Sequence, residues 1–183
     1  MSTLTTWQFD PAHTEVGFAV KHLMIATVKG RFAEVHGSIR MNEENPSTAV
    51  VEVAIDVASI TTGNPQRDAH LRSADFLDAE NFPTITFRSR RVENRSDGDL
   101  RLIGDLTIRD VTREVVLALS REGVIQDPWG SRRAGYSGSV RIKRSDFGIT
   151  WNQLIEAGGV AVGDEVRISI EAELVQAQEK AAA

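Results

Sequence analysis

Apolar and polar residues alternate along most of this chain with a period of two, the signature of half-buried β-strand. From Trp7 to His22, Val16, Phe18, Val20 and His22 fall on one face, and Glu15, Gly17, Ala19 and Lys21 on the other. Asp10–Pro11 bends this strand near its start. A second strand is predicted over Val28–Met41, with Gly30 and Gly37 as bulge signals. Glu43–Ser47 is a polar turn containing Pro46, and Ala49–Val57 places Val51, Val53 and Ile55 together. Ile85 and Phe87 lead the next strand, and Asn94–Asp99 reads as a hairpin. Leu100–Ile108, Thr112–Glu122, Gly135–Lys143 and Asp164–Val175 complete the set, with a loop at Gln126–Arg132.

One stretch breaks the pattern. Asn64–Pro65 pairs a helix-capping residue with the proline favoured at the first helical position. Leu71 and Ala74 then lie one turn apart among Arg67, Asp68, Arg72 and Asp75, and Ser73 can cap a second short turn leading to Phe76. Pro83 ends the excursion by restricting Phe82, and Thr84–Ser89 resumes strand. Leu23–Thr27 reads as a further short helical turn.

Eight alternating strands joined mostly by short turns predict an all-β, antiparallel fold. A barrel of that size is filled by its own side chains or holds one small ligand, and the helical excursion would plug or lid it. Gly104 and Gly138 interrupt inward apolar faces. They either leave room for a ligand or permit strong coiling of the strands.

Composition narrows the class. With 183 residues, 41% hydrophobic and 26% charged, the chain suits one domain over 1–183, with a core at 7–175 and a frayed tail at 176–183. A net charge of −5 gives no nucleic-acid footprint, and Arg88, Arg90 and Arg91 read as a solvated strand face. There is no cysteine, so disulfides, zinc–thiolate sites and cysteine nucleophiles are excluded. No apolar run reaches membrane-spanning length, and Met1–Thr6 lacks a signal-peptide core. The chain as written therefore reads as cytoplasmic.

Candidate chemistry is sparse. His13, His22, His36 and His70 are scattered without metal-motif spacing, so a metal site would need the fold to gather His13, His22 and His70; the reading is no metal and no cofactor. Asp146-Phe147-Gly148 spells a kinase magnesium motif with none of its companions. Gly158–Gly163 lacks dinucleotide-binding spacing, and Asn94-Arg95-Ser96 is a sequon only by pattern. Arg67, Asp68, His70 and Asp75 suit either acid–base work or the tying of a lid to the barrel; the second reading is preferred.

Several ordered motifs resemble the YceI-like family of lipocalin-like polyisoprenoid binders. They are Trp7-x-Phe9-Asp10-x-x-His13-Thr14-x-Val16-x-Phe18-x-Val20-x-His22, Val28-x-Gly30-x-Phe32, and Ile55-Asp56-x-x-Ser59-Ile60-x-Thr62. Arg67-Asp68-x-His70-Leu71-x-Ser73-x-Asp75-Phe76, Phe82-Pro83-Thr84-Ile85-Thr86-Phe87, Gly104-x-Leu106-Thr107-Ile108 and Arg144-x-Asp146-Phe147-Gly148-Ile149 follow. The family usually has glycine where this chain has Asp110; aspartate tolerates turn geometry, so the turn is expected to survive. The resemblance implies an extended eight-stranded lipocalin-like barrel with a helical lid, a tunnel for an isoprenoid chain, and a homodimer. The expected function is binding, storage or transport of a long-chain polyisoprenoid or isoprenoid quinone, with no enzymatic activity and with room for transient membrane contact. The rival is a small-barrel enzyme using His70 and Asp68 on a quinone or lipid. Expected ligand-facing residues are Val16, Phe18, Val20, His22, Phe32, Ile85, Phe87, Leu102, Leu106, Val140, Ile142, Phe147, Ile168 and Ile170. Expected lid residues are Arg67, Asp68, His70, Leu71, Asp75 and Phe76.

Overall fold

The computed structural model describes residues 3–156 and 158–178. Most of the predicted tail, 179–183, lies outside them. Eleven strand segments form one antiparallel sheet: β1 (Thr5–Phe9), β2 (Glu15–His22), β3 (Ala26–Phe32), β4 (Val35–Asn42), β5 (Asn45–Asp56), β6 (Ile60–Thr61), β7 (Thr84–Asn94), β8 (Leu100–Ile108), β9 (Val111–Gln126), β10 (Arg132–Lys143) and β11 (Val162–Gln176). The one α-helix among the described residues, α1, spans Pro65–Arg72.

The eleven segments are eight passages of chain, because β1/β2, β3/β4 and β5/β6 are each one strand broken by a bend. β11 closes the ring by pairing with β10 along one edge and with both β1 and β2 along the other. The result is a closed eight-stranded barrel that leaves no long edge free. The three breaks lie side by side. At the first, Pro11 cannot donate to a ladder and Asp10 accepts from the Ala12 amide at 2.9 Å. At the second and third, Ser59 stitches the bends together. Its carbonyl accepts from the Ala33 amide at 3.2 Å and its hydroxyl from the Glu34 amide at 3.0 Å. Beyond the Asp56–Thr84 pair, β6 is bonded only to β3, so backbone pairing no longer closes the wall between β6 and β7. The helix and the turn after it cover this gap.

That helix begins as its sequence dictates. The Asn64 side chain accepts from the Arg67 amide at 3.0 Å, and Pro65 occupies the first turn. The opposite end of the barrel is stopped by Trp7, fully buried, with Ile39, Met41, Ala134 and Leu174. The expected turn at Asp110 is present, with Ile108 paired to Val111 and the positive φ of 56° falling on Arg109.

Three local expectations are corrected. Leu23–Thr27 is not helical: Leu23–Ile25 form a three-residue hairpin connection between paired His22 and Ala26, with Leu23 and Met24 at φ of 51° and 60° and the Ile25 amide on the His22 carbonyl at 3.2 Å. Gly30 and Gly37 are not bulges but regularly paired residues, opposite Phe18 and Val53. The register shifts instead fall at Arg40/Asn42, Ser89/Arg91, Gly135/Tyr136 and Val162/Val166. Finally, Gly104 and Gly138 do not open space. A Cβ on Gly104 would meet Phe87 and the Arg88 carbonyl, and one on Gly138 would meet the Ala118 carbonyl and Leu119. Both glycines serve close strand approach.

Candidate ligand cavity and its lid

Because successive side chains on each strand alternate in and out, the ring turns one apolar face of every passage inward. These faces enclose a cavity of about 530 Å³ that runs from Tyr136, Met41 and Leu174 near the stopped end to His70 and Trp151 beneath the lid. From Val162 to Leu174 the wall follows β11 for roughly 40 Å of strand, at about 3.3 Å per residue. A cavity of this shape suits an elongated apolar guest.

Of the expected ligand-facing residues, Val16, Phe18, Val20, His22, Phe32, Ile85, Phe87, Leu102, Leu106, Val140, Ile142, Ile168 and Ile170 line this cavity. Phe147 does not. The 3-10 turn Arg144–Phe147 takes it out of strand alternation and buries it in the core to 2% exposure. Sequence reading omitted Phe9, Ile39, Met41, Leu100 and Tyr136, which alternation places on inward faces, from the candidate set. It also missed Arg144, Trp151 and Gln153, which stand in an aperiodic connection.

The lid is built in two layers. Asp68 is buried and does not reach the cavity. Its Oδ1 accepts from the Thr62 amide at 2.8 Å and the Thr62 hydroxyl at 2.6 Å, tying the first turns of α1 to the end of β6. Arg67 reinforces the tie, donating to the Thr62 hydroxyl at 2.7 Å and carbonyl at 3.1 Å. The second layer is aromatic. His70 is held by Asp75 at 2.8 Å and meets the rings of Phe76 and Trp151 edge-on, at centroid distances of 4.9 and 4.7 Å. Phe76 and Trp151 are 5.3 Å apart, so three rings join the helix, its following turn and the connection before β11. His70, Leu71, Phe76 and Leu77 face the cavity, whereas Asp75 does not.

Trp151 is placed by Arg144. This buried guanidinium donates to the carbonyls of Gly163 (2.8 Å), Ile149 (3.0 Å), Trp151 (2.8 Å) and Val162 (3.2 Å), which folds the connection back onto β11. Burial lowers its pKa from the usual arginine value, partly opposed by Asp164. Arg144, Lys21, His22, Arg67, His70 and Gln153 are all at the lid end. Deeper in, Tyr136 is the main polar group; burial raises its pKa, and its hydroxyl lies 3.8 Å from the Met41 sulfur. Among the described residues, no aspartate or glutamate lines the cavity.

The arrangement offers little to catalysis. Asp68 is turned to Thr62 and His70 to Asp75, so the pair named for the enzymatic alternative is not assembled. His13, His22 and His70 do not converge. Asp10, His13 and Glu173 do cluster, but Arg133 occupies the space between the carboxylates, donating to Asp10 at 2.7 Å and to Glu173 at 2.5 Å.

An antiparallel barrel enclosing an apolar cavity defines the class of small binding barrels. The model of the YceI-like domain matches residues 7–174, and the chain belongs to the YceI-like family. It is 40% identical over 138 residues to a UPF0312 protein of Vibrio vulnificus (strain YJ016), covering 75% of this chain and 73% of the relative. A UPF0312 protein of Shewanella baltica (strain OS185) is 38% identical over 140 residues, covering 76% and 73%. Among solved structures, the Campylobacter jejuni YCEI protein superposes with a TM-score of 0.75 at 32% identity, over 87% of this chain and 90% of that one. A polyisoprenoid binding domain from Saccharophagus degradans shares the fold, with a TM-score of 0.68 at 14% identity over 95% and 99% of the two chains.

Proposed function

We propose that this protein binds a long-chain isoprenoid lipid, a polyisoprenoid or an isoprenoid quinone, in the barrel interior, and stores or carries it. The observation that carries this reading is the division of the cavity wall. Apolar side chains line it along the strands, and the charged groups gather under the lid. Burial supplies the affinity: an isoprene unit of five carbons gains on the order of 3 kcal/mol before ordering costs. Support at the level of fold comes from the Saccharophagus degradans neighbour, a polyisoprenoid binding domain.

The test is mass spectrometry of organic extracts from the purified protein. The expected result is a co-purifying long-chain isoprenoid, depleted when Phe18→Asp places a charge on the cavity wall. Recovery of straight-chain acyl lipids alone would assign the cavity to another ligand class.

A further inference from the structure

The most exposed large apolar residues stand at the two ends of the barrel, Ile125 and Trp129 at the stopped end and three others beside the lid. At the lid end Met24, Ile25 and Leu154 are 58%, 85% and 83% exposed. They stand on two neighbouring hairpin-like tips. The Leu23 amide donates to the Ala161 carbonyl at 2.9 Å, and Leu154 bridges to Val160 in the same connection. The β2–β3 tip holds Leu23 and Met24 at positive φ, where asparagine and glycine are the unstrained choices.

These tips adjoin the cavity's mouth. Lys21, His22, Gln153 and Ala161, which line the cavity, are next to the exposed residues along both tips. The charges on the cavity wall there are also one-sided. Among the described residues, the cavity-lining ions are Lys21, Arg67 and Arg144, without a carboxylate, in a chain whose net charge is −5. Of the acidic groups nearby, Asp75 is held by His70 and Asp164 by Ser145, and Glu156 stands exposed two residues from Leu154. Aliphatic tips flanked by cations match the layered chemistry of a bilayer surface, apolar beneath and anionic at the headgroups.

We propose that the lid end docks on a lipid bilayer containing anionic phospholipid, with Met24, Ile25 and Leu154 entering the interface and Lys21 and Arg67 facing the phosphates. Its purpose, direct exchange of a lipid between bilayer and barrel, rests on the isoprenoid reading; the docking itself does not.

The test is co-sedimentation of the full chain with vesicles of phosphatidylcholine, alone or mixed with phosphatidylglycerol. The mixed vesicles should bind more protein, and added salt should weaken that binding. Met24→Asp, Ile25→Asp and Leu154→Asp should each weaken partition roughly tenfold, and Lys21→Glu should erase the preference for anionic vesicles. Trp129→Asp, at the stopped end where Trp129 is 84% exposed, should change nothing. Circular dichroism checks that each variant is folded. No vesicle binding by the native chain overturns the proposal, as does binding that survives the three tip substitutions or is lost through Trp129. Self-association abolished by those tip substitutions, without vesicle binding, assigns the patch to a second copy instead. Uptake of a soluble farnesyl probe is measured in parallel. Loss of docking with uptake intact rejects this inference alone, and docking without uptake rejects the isoprenoid reading alone.

Discussion

The ring of Phe18 lies across Gly30, its direct partner in the β2–β3 ladder. A Cβ at residue 30 would sit 2.8 Å from Phe18 Cε1 and 2.9 Å from the Thr61 carbonyl oxygen. The rings of Phe9 and Phe87 also lie against glycines, Gly37 and Gly104, Phe87 from a diagonal position because its own partner is Leu106. Each pairing lets a large ring lie flat against a tightly coiled wall, so the ring narrows the barrel without blocking it.

Gly30→Ala is therefore expected to destabilise the fold by about 1–3 kcal/mol. Combining it with Phe18→Leu, which removes the obstructing ring, should cost less than the sum of the two changes. Urea unfolding of the four members of this cycle measures the coupling. Strict additivity would show that the ring does not dictate the glycine.

Where the signals are local, the sequence was legible. Alternation alone bounds β8 at Leu100 and Ile108, and Asn64–Pro65 marks the start of α1, because strand faces and helix caps are set within a few residues. The break between β3 and β4 was not legible, since Ser59, 25 residues beyond Glu34, holds it. The Leu23–Met24 turn was misread because neither residue advertises positive φ. At the site, inward faces followed from period two, but Trp151 and Gln153 lie in a connection without a period, ordered by a distant guanidinium. Phe147 was assigned to the cavity from its motif, while its 3-10 turn sends it elsewhere.

Asp68 holds the lid by accepting two hydrogen bonds from Thr62. Asp68→Ala leaves that amide and hydroxyl without their partner, at a cost of about 1–3 kcal/mol. The strand ring is held by β5–β7 pairing up to Asp56–Thr84 and by β11 on β1, β2 and β10, and α1 covers only the gap beyond, so the fold should persist while a preloaded isoprenoid leaves faster. Stopped-flow release measures this; release at the native rate would sink the lid role of Asp68.

The Arg133 node makes stability depend on pH in two opposite senses. Hydrogen bonds from His13 and Arg133 hold the Asp10 carboxyl down at about 2, against an ordinary 3.8. Its contribution is therefore present above about pH 4 and is lost as pH falls through about 2. Asp10 and Glu173 raise the His13 pKa above 6.5. That contribution is complete below pH 6.5 and is lost as pH rises through the folded-state value. Thermal unfolding should show greatest support from this node between about pH 4 and 6.5. His13→Ala should flatten the alkaline side and, because the His13 hydrogen bond is the main cause of the lowered Asp10 pKa, also weaken the acid side. An unchanged alkaline slope would mean that His13 contributes nothing measurable there.

Trp151 offers a test of which way the ligand lies. The chain has three tryptophans: Trp7 is fully buried at the stopped end, Trp129 is exposed, and Trp151 lines the cavity beneath the lid. The charged and hydrogen-bonding groups of the wall surround Trp151, so a polar headgroup should rest there while the chain descends toward Tyr136 and Met41. A farnesyl probe carrying a contact quencher on its headgroup should then quench mainly Trp151. Trp151→Phe, which keeps an aromatic ring against His70 and Phe76, should remove most of the quench and leave probe affinity within a fewfold of native, since one ring replaces another of similar apolar area. Trp7→Phe and Trp129→Phe should leave the quench intact. If Trp7 carries the signal instead, the headgroup lies at the stopped end and the ligand enters chain last.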